Sequence, residues 1–230
     1  MQIDQMHRAI KIAINRVNGR VHRDYLAEEI DEVINTYTIP KLINDAFKPD
    51  QKQTSFQLDQ SITGWTKFST LISEELINPV KQGQTSDYLV SFPDALYKYL
   101  YLEVPIRDLK CNSVNVLRDM PLEKDTYSIY KKRQLVNRTL RPVSKVIGRA
   151  VVITSPTDTV VEGNVKLHYL KKPAVVRYGA TYLNVVSNVD CDLPIDIHGE
   201  VVTETAMLLA SFTNMQEGQS VTQMLSRIVA

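Results

Sequence analysis

Cysteine is scarce in this sequence. Its 230 residues include only two, Cys111 and Cys191, and no Cys-x-x-Cys pair occurs. Small disulfide-stapled domains are far richer in cysteine, and structural zinc sites need closely spaced cysteine or histidine ligands. The sequence therefore argues against a disulfide scaffold and a zinc site. Two isolated cysteines in a chain of this length are more typical of buried thiols than of one disulfide.

Motifs that carry common enzymatic chemistry are also missing. The sequence has no Gly-x-Gly-x-x-Gly, no P-loop, no Gly-x-Ser-x-Gly and no His-Glu-x-x-His. Its four histidines fall in three separate predicted elements, so nothing indicates that they converge on a metal ion. We expect a protein that is not an enzyme and that requires no cofactor.

Three aspartates, Asp190, Asp192 and Asp196, surround a Cys-Asp-Leu-Pro stretch and allow two interpretations. Clustered carboxylates can bind a cation. Acids placed before a helix can also complement its dipole, which is the simpler explanation here.

Long apolar runs and a strong net charge are absent as well. No stretch of about 18 apolar residues is present, and the first residues do not have the pattern of a secretory signal. We therefore expect synthesis in the cytosol and no membrane partner. The net charge is +1, so any contact with a polyanion needs a local patch.

Helical periodicity marks both ends of the chain. Apolar residues recur at steps of three and four between residues 3 and 18, and again from residue 21 to about residue 47, where Pro40 would kink or divide the helix. This predicts an N-terminal helical hairpin over residues 1–48. Residues 193–230 read as C-terminal helices that pack on the hairpin.

The middle of the chain is more strand-like. We predict a polar loop and a short helix over residues 49–87, followed by a β-rich module with a basic loop over residues 88–192. Within the module, residues 145–154 and 164–170 read as strands, and residues 174–179 could pair as a third. The predicted fold class is α+β, with a helical hairpin and C-terminal helices forming a bundle and an inserted β-rich module.

A basic stretch interrupts this module. Between residues 122 and 149 the only acids are Glu123 and Asp125, and the cations that we regard as a candidate interface are Lys131, Lys132, Arg133, Arg138, Arg141, Lys145 and Arg149. The stretch could dock on an acidic protein partner, contact phosphate groups, or form a solvated loop. All three interpretations stay open.

A strand, a corner and a loop-to-helix passage close the chain. The fingerprint residues are Lys172 and Pro173 at the corner, Leu193 and Pro194 in the loop, and His198 and Glu200 at the helix start. This passage resembles head-to-tail connector, or adaptor, ring proteins of tailed bacteriophages, especially the crAss-like and related podoviruses. Gly199 departs from the pattern, which usually has a larger polar residue there.

The resemblance implies a virion structural protein that forms a ring, dodecameric in that family, between the portal and the tail components. Its partners would be the portal protein, other tail or ring proteins and further copies of itself, and it could line the DNA exit channel. It would be assembled in the host cytoplasm and end in the virion. Two alternatives remain: another virion part, such as a tail tubular or capsid-associated protein, and a small enzyme whose site is assembled from scattered residues.

Overall fold

The computed structural model describes residues 1–18, 25–47, 66–83, 86–122, 127, 141–156, 158–179 and 187–214. The chain divides into two compact units. The first, here called the helical unit, comprises Met1–Leu71 and Pro173–Ala230. The second, here called the β unit, comprises Ile72–Lys172. The boundary at residues 172 and 173 is the Lys-Pro corner.

The helical unit is built from amphipathic helices. Its described helices are α1 (Ile3–Asn18), α2 (Ala27–Val33), a π-helical turn (Ile34–Thr38), α3 (Ile39–Ala46), a 3₁₀ turn (Ser69–Leu71) and α4 (Ile195–Asn214). In α1 the buried residues Ile3, Met6, Ile10 and Ile14 form one face. Helix α4 packs along α1 and also contacts α2 and the π-helical turn.

Pro40 lies in the first turn of α3, directly after the π-helical turn. Proline has no backbone N–H and clashes with the carbonyl of the preceding turn. The wider π turn accommodates that interruption, so residues 27–46 continue as one helical run.

The β unit contains two five-stranded sheets. Sheet A has the strand order β1-β10-β4-β5, and β9 also pairs with β4. Its strands are β1 (Ile72–Ile77), β4 (Leu96–Asp108), β5 (Val114–Arg118), β9 (Thr159–Val161) and β10 (Val165–Lys171). Every pairing within it is antiparallel.

Sheet B has the order β2-β3-β8-β7-β6, and only the β6–β7 pairing is parallel. Its strands are β2 (Val80–Lys81), β3 (Asp87–Ser91), β6 (Met120–Pro121), β7 (Val143–Ile147) and β8 (Ala150–Thr154). A two-residue turn joins β7 to β8, and Gly148 takes a φ of 57° at its first central position. Glycine reaches such a φ without steric cost.

The two sheets of the β unit share one apolar core. Alternate residues of β4, namely Leu102, Val104 and Ile106, point into it. They meet Val165 and Leu167 of β10 from the same sheet. Tyr169 of β10 is also a buried member, and sheet B supplies Tyr88, Val90, Val151 and Ile153. Period-two burial along each strand is the expected pattern for a strand with one face in a core.

The predicted fold class is wrong. The described chain is rich in β structure, with ten strands in two sheets, and is not a helical bundle with an inserted β module. Residues 72–77, for which a short helix was one interpretation, form edge strand β1, because pairing with β10 outweighs the helix propensity of Glu74, Glu75 and Leu76.

Other predicted elements also differ from the structure. Residues 145–154 form two strands and a turn, because Gly148 permits the reversal. Residues 96–108 form the single long strand β4. Residues 174–179 form only one isolated bridge, between Arg177 and Val189. The predicted last helix, at residues 219–230, lies outside the described residues.

In the part of the chain that the structure describes, no helix combines the length and the apolar character that crossing a membrane requires.

Candidate functional site

The loop before α4 is held by buried polar contacts within the helical unit. Pro194 directly precedes α4, and its carbonyl accepts a hydrogen bond from the Ile197 N–H at 3.0 Å. A proline at this position fixes φ where no backbone donor is needed. Leu193 is buried, and its carbonyl lies 2.9 Å from Nε2 of His198. The loop is thus fastened to the first turn of the helix that follows it.

His198 joins three segments of the helical unit. Its Nδ1 lies 2.9 Å from the Met1 ammonium group, which can only donate, so Nδ1 accepts and Nε2 carries the proton for the Leu193 carbonyl. Burial of the ring, and next the positive charge of the Met1 amine, lower the pKa of His198 below its ordinary value. These hydrogen bonds and the lowered pKa indicate that His198 is neutral and has a structural role.

Two of the three clustered aspartates accept hydrogen bonds from distant backbone amides. Asp190 accepts one from Ile3 at 2.8 Å, at the start of α1. Asp192 accepts one from Ala174 at 3.0 Å. No group of three or more metal-ligating side chains occurs among the described residues. These two carboxylates therefore connect the loop before α4 to the start of α1 and to the segment after Pro173.

Glu200 points outward from α4. Its carboxylate forms an ion pair with Lys67 at 2.7 Å, and both side chains are partly exposed. An ion pair of this kind contributes little to stability. Glu200 therefore belongs to the surface of the helical unit, in contrast to the buried Leu193 and His198.

The segment after the Lys-Pro corner is held by α2. Asp31 accepts hydrogen bonds from the Tyr178 N–H and pairs with Nε2 of His7, both at 2.8 Å. Asn35, one turn later, exchanges two hydrogen bonds with the backbone of Val176, at 2.8 and 2.9 Å. This set, the Asp31–Asn35 clasp, lines a surface cleft of about 370 Å³. The side chains of Asp31 and Asn35 are already used in hydrogen bonds to the backbone of residues 176 and 178.

The corner itself begins at the end of β10. The Lys172 N–H donates a 2.7 Å hydrogen bond to the Ala95 carbonyl in the turn before β4, and the side chain of Lys172 is exposed. Pro173 is the first residue of the second segment of the helical unit. A proline here suits an abrupt end of a strand, because it cannot donate to a further β ladder.

The basic stretch is only partly described. Lys131, Lys132, Arg133 and Arg138 lie outside the described residues. Arg141 is exposed, and Lys145 in β7 lies over the Tyr127 ring, with its Nζ 5.6 Å from the ring centroid. Arg149 forms an ion pair with Asp94 and lines a cleft that also includes Lys98 and Lys172.

A buried carboxylate ties the two sheets of the β unit together. Asp119 accepts hydrogen bonds from the Leu102 N–H at 2.7 Å, from the Tyr99 hydroxyl and from the Ser144 hydroxyl. Leu102 and Tyr99 belong to sheet A and Ser144 to sheet B. Burial raises the pKa of Asp119 above its ordinary value, while these hydrogen bonds oppose the rise. Asp119 is a structural anchor that the sequence did not reveal.

The outer face of sheet A carries an ordered row of charged and aromatic side chains. The buried His168 stacks on Tyr101, with centroids 4.2 Å apart, and its two ring nitrogens lie 3.2 Å from Glu74 and 3.4 Å from Glu103. The guanidinium of Arg118 lies 3.9 Å from the Tyr101 centroid. These residues come from all four strands of the path β1-β10-β4-β5.

Both outer strands of that path expose apolar side chains. Leu76 of β1 is 66% exposed, and Val114 and Val116 of β5 are 52% and 64% exposed. Among the described residues, β1 pairs only with β10 and β5 only with β4. The edge strand β5 was not among the predicted strands, although the alternation of valines at 114 and 116 is a usable strand signal.

No protein-family model matches the chain, and no curated protein matches it by sequence.

Proposed function

We propose that this chain is a structural subunit of a tailed-phage virion, a head-to-tail adaptor that forms a ring between the portal and the tail components. The observation that carries the proposal is that, among the described strands, both ends of sheet A are open edges, where Leu76, Val114 and Val116 are exposed. Open edges with apolar side chains invite pairing with another chain, and monomeric proteins usually protect them. Such edges favour a protein that works in an assembly.

The resemblance of the closing passage narrows the kind of assembly. Leu193, Pro194 and His198 are fingerprint residues, and all three take part in fastening the loop to α4. A rigid start of α4 suits a subunit that must present its helices at a fixed angle to a neighbour. Lys172 and Pro173, the other fingerprint pair, lie at the boundary of the two units.

On this proposal the protein performs no chemical reaction. It converts the docking surface of one ring into a platform for the next, and its specificity comes from complementary surfaces. The copies would be related by rotation, so that each presents different surfaces to its left and right neighbours. Its final location would be the virion.

Co-assembly with a portal protein tests this role directly. The purified chain is mixed with the portal of the same phage and followed by light scattering and negative-stain microscopy. We expect rings of this protein stacked on portal rings. A mixture in which the folded chain never associates with the portal would rule out the adaptor role.

A charge-reversal variant sharpens the same experiment. Replacing Lys131, Lys132 and Arg133 by Glu should weaken docking while circular dichroism stays unchanged, because docking on an acidic surface depends on these cations. Lys11→Glu, on the exposed side of α1, is the matched control. Docking that is indifferent both to the triple reversal and to salt concentration would remove the basic stretch from the interface.

A further inference from the structure

We propose that β5 of one copy pairs antiparallel with β1 of a second copy, with Arg118 opposite Glu74 and Val116 opposite Leu76. The pairing would join sheet A of neighbouring subunits into one continuous sheet. The inference rests on the proposed function, because it assigns the contact between neighbouring subunits within the ring. Four steps of geometry lead to it.

The first step is that both strands have an unused edge in the part of the chain that the structure describes. In the described chain, β1 and β5 end the strand path of sheet A, each with a single partner. Their exposed side chains include Leu76 and Val116, at 66% and 64% exposure. The backbone groups of an edge strand can pair with a further strand, and main-chain hydrogen bonds then supply affinity.

The second step is strand direction. Strand β1 is antiparallel to β10, β10 to β4, and β4 to β5, so β1 and β5 of one chain run in opposite directions. Rotation about an axis parallel to the strands keeps their directions. A rotated copy would therefore place its β1 antiparallel to β5, in the same pattern as the rest of sheet A. Contacts of this heterologous type generate a ring when the rotation between neighbouring copies closes.

The third step is the face of the sheet. Glu74 is opposite His168 and Leu76 is opposite Lys166 across β1 and β10. Lys166 is in turn opposite Glu103, which is opposite Arg118. Because residues directly opposite share a face, Glu74, Leu76, Val116 and Arg118 all lie on the outer face of sheet A. Side chains of the two edges would meet on that face.

The fourth step is the register. With Arg118 opposite Glu74, the antiparallel arrangement places Val116 opposite Leu76, so a charge pair and an apolar pair form together. A slip that keeps the face moves the pairing by two residues. It then sets Arg118 against Leu76 or Val116 against Glu74. Either slip puts a charge against an apolar side chain, whereas opposite charges and apolar pairs stabilise adjacent strands.

The charges around the contact are compatible with this register. Glu74 is half exposed and pairs with Lys166 at 2.5 Å through Oε2. Its other oxygen, Oε1, lies 3.2 Å from Nδ1 of His168. Arg118 lies over Tyr101 and is directly opposite Glu103. Addition of the second copy would continue the alternation of acids and bases across the sheet.

Site-directed cross-linking tests the register. Leu76→Cys and Val116→Cys are combined in one chain that carries Cys111→Ser, since Cys111 is exposed. Directly opposite residues of antiparallel strands have the spacing that a disulfide needs. Under mild oxidation we expect covalent oligomers. The matched control pairs Leu76→Cys with Val114→Cys, which is offset by two residues and should cross-link much less.

A charge swap provides a second readout. Arg118→Glu and Glu74→Arg should each raise the protein concentration needed for assembly, on the order of tenfold. The double variant should recover part of the assembly lost in the single variants, because the interchain charge pair is reversed and kept while Glu103 and Lys166 then face like charges. Circular dichroism and thermal unfolding of each variant show whether the β unit is intact. Folded single variants that assemble as the parent does would overturn the pairing.

The outcomes separate this inference from the proposed function. Rings that form with the portal but give no Leu76–Val116 cross-link overturn the pairing and leave the adaptor role standing. A specific cross-link in a chain that never associates with a portal supports the pairing and rejects the adaptor role. Failure of both assembly and cross-linking rejects both. Cross-linking that is equal for the two valine positions overturns the register.

Discussion

The contacts that stabilise the helical unit internally differ in kind from those that stabilise the β unit. In the helical unit, polar side chains connect segments that are far apart in sequence, as when Asp190 receives the Ile3 amide and Asp31 receives the Tyr178 amide. In the β unit, long ladders and a shared apolar core dominate. The Asp119 anchor is a notable polar contribution to that unit.

This difference indicates where each unit should be sensitive. A core of interdigitated apolar side chains responds to lost volume. A set of buried hydrogen bonds responds to the loss of one partner, because the other is left unsatisfied away from water. The following predictions test that contrast, beginning with the largest expected effect.

Truncation of the β core should have the largest effect. Leu102 is fully buried among the residues of both sheets. Leu102→Ala removes apolar contacts and leaves a cavity, so we expect a loss of about 2–5 kcal/mol in the free energy of unfolding, measured with urea. Leu76→Ala, on an exposed edge of the same unit, should change it by less than about 0.5 kcal/mol. Equal losses would contradict the assigned core.

Removal of the clasp should cost less, in the helical unit. Asp31→Ala leaves both the buried His7 ring and the Tyr178 amide without this partner. We expect a loss of about 1–3 kcal/mol in the free energy of unfolding. Glu28→Ala, one turn away in sequence and exposed, is the control. If both alanine variants unfold at the parent's urea midpoint, the clasp does not stabilise the unit.

The Asp119 anchor should make the β unit less stable as pH rises. Burial raises the pKa of this carboxyl above its ordinary value of 3.8, so the folded state binds its proton more tightly than the unfolded state. Its stabilising contribution is therefore complete below about pH 3.8 and declines as pH rises through the folded pKa. Asp119→Asn should remove this slope from stability measured against pH. A slope that persists in the folded variant would assign it to another group.

His198 should give the helical unit the opposite dependence. Burial lowers the pKa of His198 below its ordinary value of 6.5, so its contribution is present above that pH and declines as pH falls through the folded pKa. His198→Gln should flatten this acid limb of the stability profile. The measurement is hydrogen exchange of α4 amides across pH 5–8, corrected for intrinsic rates. Identical profiles in the parent and the variant would exclude His198 as the titrating group.

The two units also differ in how well their sequence predicted them. Helix α1 follows directly from apolar residues at steps of three and four, such as Met6, Ile10 and Ile14. Strand β1 does not follow from its residues, since Glu74, Glu75 and Leu76 are good helix formers and are held extended by β10. Local periodicity shows which side of a helix is buried. The extended conformation of β1 depends instead on β10, which is almost a hundred residues away in sequence.

The candidate site shows the same limit. Pro194 marks the start of α4 from sequence alone, because proline suits the position before a first helical turn. Nothing in the sequence indicates that His198 contacts Met1, or that Asp119 accepts hydrogen bonds from donors in two sheets. The exposed edges of sheet A were also missed, because whether an edge is open depends on the order of strands.

The amino-acid sequence alone accounts for the scarcity of catalytic and metal-binding patterns, the amphipathic character of α1 and the sharp corner at Pro173. These are properties of composition and short-range spacing. Folding alone decides that the ten described strands form two sheets and that Asp31 and Asp119 are buried hydrogen-bond acceptors. It also decides that, among the described residues, β1 and β5 end sheet A with complementary charges and exposed apolar side chains. Pairing between distant strands and burial of polar groups arise when the chain is folded, because each requires a partner that local sequence does not specify.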